Sequence, residues 1–449
     1  MAAYFRVNCG KKRRLSRTTA VLTMTTEGGL DSLRTAVLLV AYVISLLLLA
    51  AAYGGEPPVP TPSPKAEDRA FAGFIEDFRA TAAAAGIRPE VYEAATAPIT
   101  RNQRIADLNL NQPEFAKPIW EYLDTAVSPR RIAEGQVVLT ADHDILDQIE
   151  RKYGVPRQIL VSIWGNESNY GRSMGGYNMF EALATLAYAG PRIDYARPQL
   201  LAALKMMQRE NYAARAMTSS WAGAFGQTQF VPTTFLNEAV DGDGDGRIDL
   251  WFNVSDALAS TANVLSNAGW AAGKPWGYEV RLPERFAFED ADLGVVRTVA
   301  AWKERGVVTA VGGELPLSDD PASIFLPAGS HGPAFLVFPN FKVILKYNNA
   351  ASYALAVCLL ADQLKGAPAV AGTWPRGLSP LNRDERLALQ DSLLKLGFAV
   401  GKVDGLIGSK SRAALRAWQK AHALPADGFA TQNLLSLIAT EARSKLAGN

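Results

Sequence analysis

The chain has 449 residues, a length that suggests two or three domains. Hydrophobic residues make up 48% of it and charged residues 20%, so most of the chain can bury an ordinary core. The net charge of +2 argues against broad binding of nucleic acid. The two cysteines and three histidines show no metal-ligand spacing, and we expect neither a disulfide nor a catalytic cysteine.

The N-terminus has the pattern of a targeting segment. Basic residues at 11–14 precede an apolar run from 36 to 53 that ends in small residues suitable for cleavage. We expect residues 1–53 to direct export, with Met24 as an alternative start. Without cleavage, the same run is long enough to be an inner-membrane anchor. No cysteine follows it, so a lipoprotein anchor is not predicted, and residues 54–66 form a proline-rich linker.

Residues 67–365 are predicted to form one mainly helical domain with a small β element. Phe71, Phe74 and Phe78 follow helical spacing and mark one amphipathic face. Further along, the β-like runs 323–326 and 334–338 flank a Gly-Pro turn and predict a hairpin.

Residues 366–379 are interpreted as a second linker, and residues 380–440 as a compact module of three helices. Asp-Gly pairs at 404–405 and 427–428 form a weak internal repeat within this module. Its basic residues outnumber its acidic ones, which suits an anionic polymer, although a solvated surface explains that excess equally well.

Glu167 is the residue of greatest chemical interest. It lies near the end of a predicted helix, and its spacing places it on the same face as Leu160, Ile163 and Trp164. A carboxylate on an apolar face is costly to ionise, so its pKa should rise toward the range of a general acid. The alternative is a glutamate that reaches water or pairs with an arginine.

An acidic segment, Asp241–Asp249, resembles the first half of an EF-hand loop. The position at which glutamate would complete such a loop holds Phe252, and Asp256 is the nearest acidic residue beyond it. Because these carboxylates repel one another without a cation, we predict a structural Ca²⁺ here; the alternative is a polar turn without an ion.

Two further motifs lie at 171–175 and 220–232. The segment 171–175 matches Gly-x-Ser-x-Gly, but it follows a helix instead of a strand, so we do not predict a serine nucleophile. The segment 220–232 mixes glycine, hydroxyl, amide and aromatic residues, which suits either a sugar-binding groove or an ordinary tight loop.

Taken together, these motifs resemble the bacterial lytic murein transglycosylases of the B type. The resemblance covers about residues 71–364 and is carried by the motifs 112–115, 163–168, 182–188, 220–230, 241–245, 346–349 and 353–357. Residues 380–438 resemble a three-helix peptidoglycan-binding domain through Asp404-Gly405, Gly408 and the Ala-Trp-Gln run at 417–419.

The resemblance implies a lysozyme-like fold and cleavage of the β-1,4 bond between MurNAc and GlcNAc in peptidoglycan glycan strands. Glu167 would act first as acid and then as base, while the C6 hydroxyl of MurNAc attacks C1 to give a 1,6-anhydro product. No cofactor would be required for this chemistry. The residues that the resemblance assigns to substrate are Ser220, Gln229, Tyr347, Asn348 and Tyr353. Those that it assigns to calcium are Asp241, Asp243, Asp245, the Arg247 carbonyl and Asp256.

Several positions depart from the family pattern: Ser168 where threonine is usual, Ser219 for glycine, Phe225 for methionine and Ala350 for serine. These changes affect fine positioning of the substrate but not the expected reaction. We expect a monomer of the periplasm or cell envelope. The alternatives are a hydrolytic muramidase, which needs a second carboxylate, and a non-catalytic peptidoglycan-binding scaffold.

Overall fold

The computed structural model describes residues 64–110 and 117–447. The predicted export segment, most of the first linker and the motif 112–115 lie outside the described residues. Among the described residues, no single helix combines the length and apolarity of a membrane span; α13 and α14, defined below, reach them only as a pair bent by 118°.

Most of the described chain is helical. The helices of the larger domain are α1 (Pro64–Ala84), α2 (Pro89–Thr96), α3 (Gln103–Leu110), α4 (Ile119–Ala126), α5 (Pro129–Ala141), α6 (His143–Tyr153), α7 (Arg157–Ser168), α8 (Met179–Tyr188), α9 (Ile193–Glu210), α10 (Pro232–Glu238), α11 (Val254–Asn267), α12 (Val299–Glu304), α13 (Pro339–Tyr347) and α14 (Ala351–Leu364). Those of the C-terminal module are α15 (Arg383–Leu396), α16 (Ser409–Ala421) and α17 (Gln432–Ala447).

Helix α7 is the central helix of the larger domain. Its residues from Ile159 to Gly165 are all buried, and they pack in one core with α4, α5, α11 and α14. Pro156 directly precedes its first turn, where the missing N–H costs no hydrogen bond within the helix. Asn169 ends it with a left-handed φ of 53°, which leaves Glu167 in the last turn.

A second core surrounds α8 and α9 and includes α1 and α2. Asn178 begins α8 by accepting hydrogen bonds from the Phe180 and Glu181 N–H groups. Tyr347, at the end of α13, packs against both this core and the core around α7. The two cores therefore meet beside the C-terminal end of α7.

The β element comprises β1 (Tyr177–Asn178), β2 (Thr218–Ser219), β3 (Gly277–Arg281), β4 (Arg297–Thr298), β5 (Val308–Thr309), β6 (Pro321–Phe325) and β7 (Ala334–Val337). Strands β1 and β2 pair separately, and the other five form an antiparallel sheet in the order β4-β6-β7-β3-β5. The predicted hairpin is confirmed as β6–β7. Strands β4 and β5 were not predicted, because each has only two residues, too few to show the alternation of apolar and polar side chains that marks a strand.

The C-terminal module has a core of its own, built from Leu389, Leu393, Leu415, Trp418 and Ile438. Asn382 and Glu385 form a capping box at the start of α15, and Gly397 ends that helix with a left-handed φ. Helix α17 continues to Ala447, past the predicted boundary at 440.

The segment between the domains lies against the larger domain. The Arg376 guanidinium pairs with both oxygens of Asp124 on α4, at 2.7 and 2.8 Å. The Ala371 and Gly372 N–H groups donate to the carboxylate of Glu279 on β3. The segment predicted as a linker is therefore held at two places along its length.

The basic surface of the module is used within the chain. Arg416 donates to Asp292 Oδ2 at 2.8 Å and to the Ala291 carbonyl at 2.9 Å, and Lys420 pairs with Glu289 at 2.8 Å. Part of the basic excess thus neutralises an acidic stretch of the larger domain. The charge excess alone predicts only an anionic polymer or water as the partner of these residues, because the acidic stretch is far away in sequence.

Candidate active site

Glu167 is half-buried in the last turn of α7. Burial raises the pKa of its carboxyl group to about 7, and the nearby Tyr353 hydroxyl offsets part of that rise. Among the described residues, Tyr353 is the one hydrogen-bonding neighbour that affects this pKa, and no acidic neighbour contributes to the shift. The carboxyl group can therefore hold a proton near neutral pH and give it up to a bound group.

Three tyrosines surround this carboxyl group. Tyr353 comes from α14, Tyr347 from the end of α13 and Tyr122 from α4. Burial raises the pKa of each tyrosine, and the charge of Glu167 raises it further. The structure thus brings two of the predicted substrate residues, Tyr347 and Tyr353, to Glu167. Tyr122 was missed, because a tyrosine on an amphipathic helix looks like part of a core.

The tyrosine hydroxyl groups are oriented differently. The Tyr347 hydroxyl donates to the Thr228 carbonyl at 2.6 Å, which directs its proton away from Glu167. The buried Tyr353 hydroxyl has no partner of normal hydrogen-bond geometry among the described residues. The buried Thr228 Oγ1 likewise lacks a partner among them. Tyr353 therefore retains a donor that can be directed at Glu167 or at a ligand.

The loop from Ser220 to Phe230 forms the other side of the site. The Ser220 hydroxyl accepts from the Ala222 and Ala224 N–H groups, at 3.3 and 3.1 Å, and fixes a tight turn. Gln229 has a left-handed φ of 51°, and its Nε2 donates to the Met174 and Gly226 carbonyls. Both predicted substrate residues are half-buried, and their polar groups are held in place by the loop itself.

Ser168 ties this loop to the helix of Glu167. Its hydroxyl donates to the Gln227 carbonyl at 2.5 Å and accepts from the Gly171 N–H at 2.9 Å. The hydroxyl retained at this position therefore connects α7 to the loop. Asn348, the remaining predicted substrate residue, is half-buried just after α13, and none of the described hydrogen bonds joins it to Glu167.

The acidic loop lies between α10 and α11. Asp241, Asp243 and Asp256 bring carboxylate oxygens within 4.8 Å of one another, a hard oxygen donor set that fits Ca²⁺. Asp256 is fully buried, and its two oxygens accept from the Gly242 and Asp249 N–H groups, both at 2.7 Å. Asp245 lies outside this group of three; its carboxylate accepts from the Arg247 N–H at 2.8 Å.

Two regions of the chain match known families. Residues 70–362 match the family described as a transglycosylase SLT domain, and residues 382–438 match a putative peptidoglycan binding domain. Membrane-bound lytic murein transglycosylase B of Escherichia coli K12 is 32% identical over 263 residues, which cover 57% of this chain and 70% of that protein.

Solved structures resemble the chain over most of their length. SltB3 from Pseudomonas aeruginosa, in complex with NAG-anhNAM-pentapeptide, is 47% identical with a TM-score of 0.80, covering 82% of this chain and 99% of that one. Slt35 from Escherichia coli, in complex with calcium, is 26% identical with a TM-score of 0.55, covering 68% of this chain and 95% of that one.

These matches confirm the predicted fold class, a mainly α lysozyme-like domain with a small β element, followed by a three-helix module. They also confirm the resemblance that the sequence motifs carried. The chain belongs to the SLT-domain lytic murein transglycosylases, enzymes that act on peptidoglycan, and carries a second domain of the peptidoglycan-binding type.

Proposed function

We propose that the chain cleaves the β-1,4 bond between MurNAc and GlcNAc without water, with Glu167 as the single acid and base. The observation that carries this proposal is the environment of Glu167. Burial raises the pKa of this carboxyl group to about 7, and no acidic neighbour among the described residues contributes to the shift. A hydrolytic muramidase of the usual kind needs a second carboxylate to activate water or to form a covalent intermediate.

In the first step, protonated Glu167 donates its proton to the glycosidic oxygen as the bond from that oxygen to C1 of MurNAc breaks. In the second step, the Glu167 carboxylate accepts the proton of the MurNAc C6 hydroxyl while that oxygen bonds to C1. Glu167 thus regains the proton that it donated in the first step. The C6 hydroxyl belongs to the same sugar as C1, so it attacks with the high effective molarity of an intramolecular nucleophile. The ligand of SltB3, NAG-anhNAM-pentapeptide, contains an anhydro sugar and supports this assignment.

The predicted substrate residues have supporting roles in this scheme. Tyr353 is the hydroxyl group best placed to orient Glu167, because it already affects the pKa of that carboxyl group. Tyr347 is held by Thr228 and joins α13 to the loop that contains Ser220 and Gln229. We assign Ser220, Gln229 and Asn348 to hydrogen bonding with the sugars on either side of the bond.

Mass spectrometry of digested sacculi tests the reaction. The expected products are muropeptides that end in 1,6-anhydro-MurNAc, and products with reducing ends would establish the hydrolytic alternative instead. A Glu167→Gln variant should release neither product. The absence of any release by the wild-type chain would favour the non-catalytic scaffold.

We also propose a structural Ca²⁺ bound by Asp241, Asp243 and Asp256, with Asp245 and the Arg247 carbonyl completing the site. Support comes from the clustered oxygens and from Slt35, whose structure is a complex with calcium. A cation would offset the mutual repulsion of Asp241, Asp243 and Asp256, which adds to the burial that raises the pKa of Asp256.

Thermal unfolding in EDTA, and after addition of Ca²⁺ or Mg²⁺, tests the metal proposal. Saturating Ca²⁺ should stabilise the fold by about 2–4 kcal/mol, and an Asp243→Asn variant should lose most of that gain. An identical melting temperature in EDTA and Ca²⁺ would establish a polar turn without an ion.

Export to the periplasm as a monomer is the remaining part of the proposal. The basic and apolar pattern of residues 1–53 supports export, and the retained apolar run is the alternative anchor. N-terminal sequencing of the mature chain after cell fractionation decides between them. Light scattering of the purified chain tests the monomer.

A further inference from the structure

The C-terminal module contains one hydrogen-bonding arrangement twice. In the first copy, the Gly405 N–H donates to Gln390 Oε1 at 2.8 Å, and the Leu406 N–H donates to Asp404 Oδ1 at 2.9 Å. In the second copy, the Gly428 N–H donates to Gln419 Oε1 at 2.8 Å, and the Phe429 N–H donates to Asp427 Oδ1 at 2.9 Å. Each glutamine belongs to a helix of the module and also donates to the aspartate Oδ1, at 3.5 Å in the first copy and 2.8 Å in the second.

The glycines of the two copies share the same backbone state. Gly405 has a φ of 77° and Gly428 a φ of 69°. Both values lie in the left-handed region, which glycine adopts at little cost. The weak repeat of Asp-Gly pairs in the sequence is therefore a repeat in three dimensions. Each copy fixes Oδ1 of its aspartate inside the turn and leaves Oδ2 available to a partner.

The second copy holds a partner from the larger domain. Asp427 Oδ2 accepts from both the N–H and the hydroxyl of Ser330, each at 2.8 Å. Phe429 lies against Gly329, where an added Cβ would come within 2.5 Å of the Phe429 Cβ. An aspartate oxygen and the apolar residue two positions later thus bind one Gly-Ser turn.

The first copy has the same groups without a partner. No described residue donates to Asp404 Oδ2, and Leu406, the counterpart of Phe429, is 60% exposed. Val403 beside it is 37% exposed. An acceptor and an adjacent apolar surface therefore face water in the arrangement that the second copy uses for binding.

The bound group shows what chemistry this arrangement recognises. Ser330 offers an amide N–H and a hydroxyl on adjacent carbon atoms. GlcNAc offers the same pair, the acetamido N–H at C2 and the hydroxyl at C3, whereas the C3 oxygen of MurNAc is an ether without a hydrogen. A pyranose ring also has an apolar face that can cover an aliphatic side chain.

We propose that Asp404, Leu406 and Val403 form a binding site for a GlcNAc unit of peptidoglycan, in which Asp404 Oδ2 accepts from the C2 amide and the C3 hydroxyl. This inference rests on the proposed action on peptidoglycan. It assigns one copy of the repeat to the larger domain and the other to the glycan strand.

The test is a titration of the full chain with GlcNAc tetramer, monitored by methyl NMR. The chain carries Glu167→Gln, so that nothing is cleaved during the titration. The Leu406 and Val403 methyl signals should shift on binding. An Asp404→Asn variant keeps the Oδ1 acceptor of the turn but replaces the free oxygen with an NH₂ group. It should weaken binding at these methyl groups by about tenfold or more, since a charged hydrogen-bond acceptor is lost.

The matched control is Asp391→Asn, an exposed aspartate of the same module that pairs with Lys395. Cellotetraose, which has a hydroxyl in place of the acetamido group, should bind at least about tenfold more weakly than GlcNAc tetramer. The proposal is overturned if the Leu406 signal does not respond, if it responds equally to cellotetraose, or if Asp404→Asn leaves it unchanged. Because this titration needs no cleavage, its failure is distinct from a failure of the product analysis.

Discussion

Glu167 and Asp256 both lie on helices of the larger domain, and burial raises the pKa of both carboxyl groups. They differ in the donors around them. Both oxygens of Asp256 accept backbone N–H groups at 2.7 Å. Among the described residues, only the Tyr353 hydroxyl acts on Glu167 as a hydrogen-bonding group, and its geometry is looser than that of a normal hydrogen bond. Donors fix a carboxylate as part of the structure, and their scarcity leaves a carboxyl group free to exchange a proton. Burial alone therefore does not distinguish a proposed acid and base, Glu167, from a carboxylate that holds backbone N–H groups, Asp256.

The largest expected effect breaks the catalytic side of this comparison. Glu167→Gln should lower kcat on sacculi by about 10²–10⁴-fold, because the amide can neither donate nor accept the transferred proton. Release of anhydro-muropeptides measures the loss. Glu304→Gln, an exposed change at the end of α12, is the matched control and should retain full activity. Undiminished lysis by the Glu167 variant would remove this residue from catalysis.

The next effect breaks the structural side. Asp256→Ala should destabilise the fold by about 2–4 kcal/mol, because it leaves two part-buried N–H groups without acceptors. Urea unfolding in EDTA measures this loss without any contribution from a metal. Asp245→Ala removes an exposed carboxylate from the same loop and should cost about 0.5 kcal/mol. Equal losses in the two variants would contradict a bracing role for Asp256.

A third prediction concerns the stability cost of keeping Glu167 poised. Its pKa rises from 4.5 to about 7 on folding, so the unfolded chain loses its proton first as the pH increases. Between pH 4.5 and 7 the unfolding free energy of the wild type should therefore fall relative to that of Glu167→Gln. Above pH 7 the gap between the two unfolding free energies should stay constant. Relative to the wild type, the variant should gain about 3 kcal/mol in unfolding free energy between pH 4 and pH 8. A gap that is independent of pH would mean that Glu167 ionises normally.

The smallest effect sharpens the role of Tyr353. Its hydroxyl lowers the pKa of Glu167, so Tyr353→Phe should move the alkaline limb of the kcat/KM profile to higher pH. The rate at the optimum should change by less than about tenfold, because only one weak hydrogen bond is lost. Tyr278→Phe, which removes another buried hydroxyl without a partner, should leave the profile in place. A shift to lower pH would contradict this role.

Sequence spacing predicted the features whose evidence is local. The position of Glu167 on α7 and the β6–β7 hairpin follow from the residues on either side of them. Tyr122 could not be predicted in this way, since its closeness to Glu167 depends on how α4 packs against α14. The contact of Asp427 with Ser330 joins residues 97 positions apart, and no sequence pattern links them.

The pair formed by Arg376 and Asp124 has a consequence for shortened versions of this enzyme. A chain that ends after Lys365 would lose this pair together with the C-terminal module. Asp124 is two positions from Tyr122 on α4, so that deletion would also change how α4 is held beside the proposed active site. A chain that ends after Leu378 also lacks the C-terminal module but keeps Arg376. Comparing this chain with the one that ends after Lys365 separates the loss of peptidoglycan binding by the module from the loosening of α4.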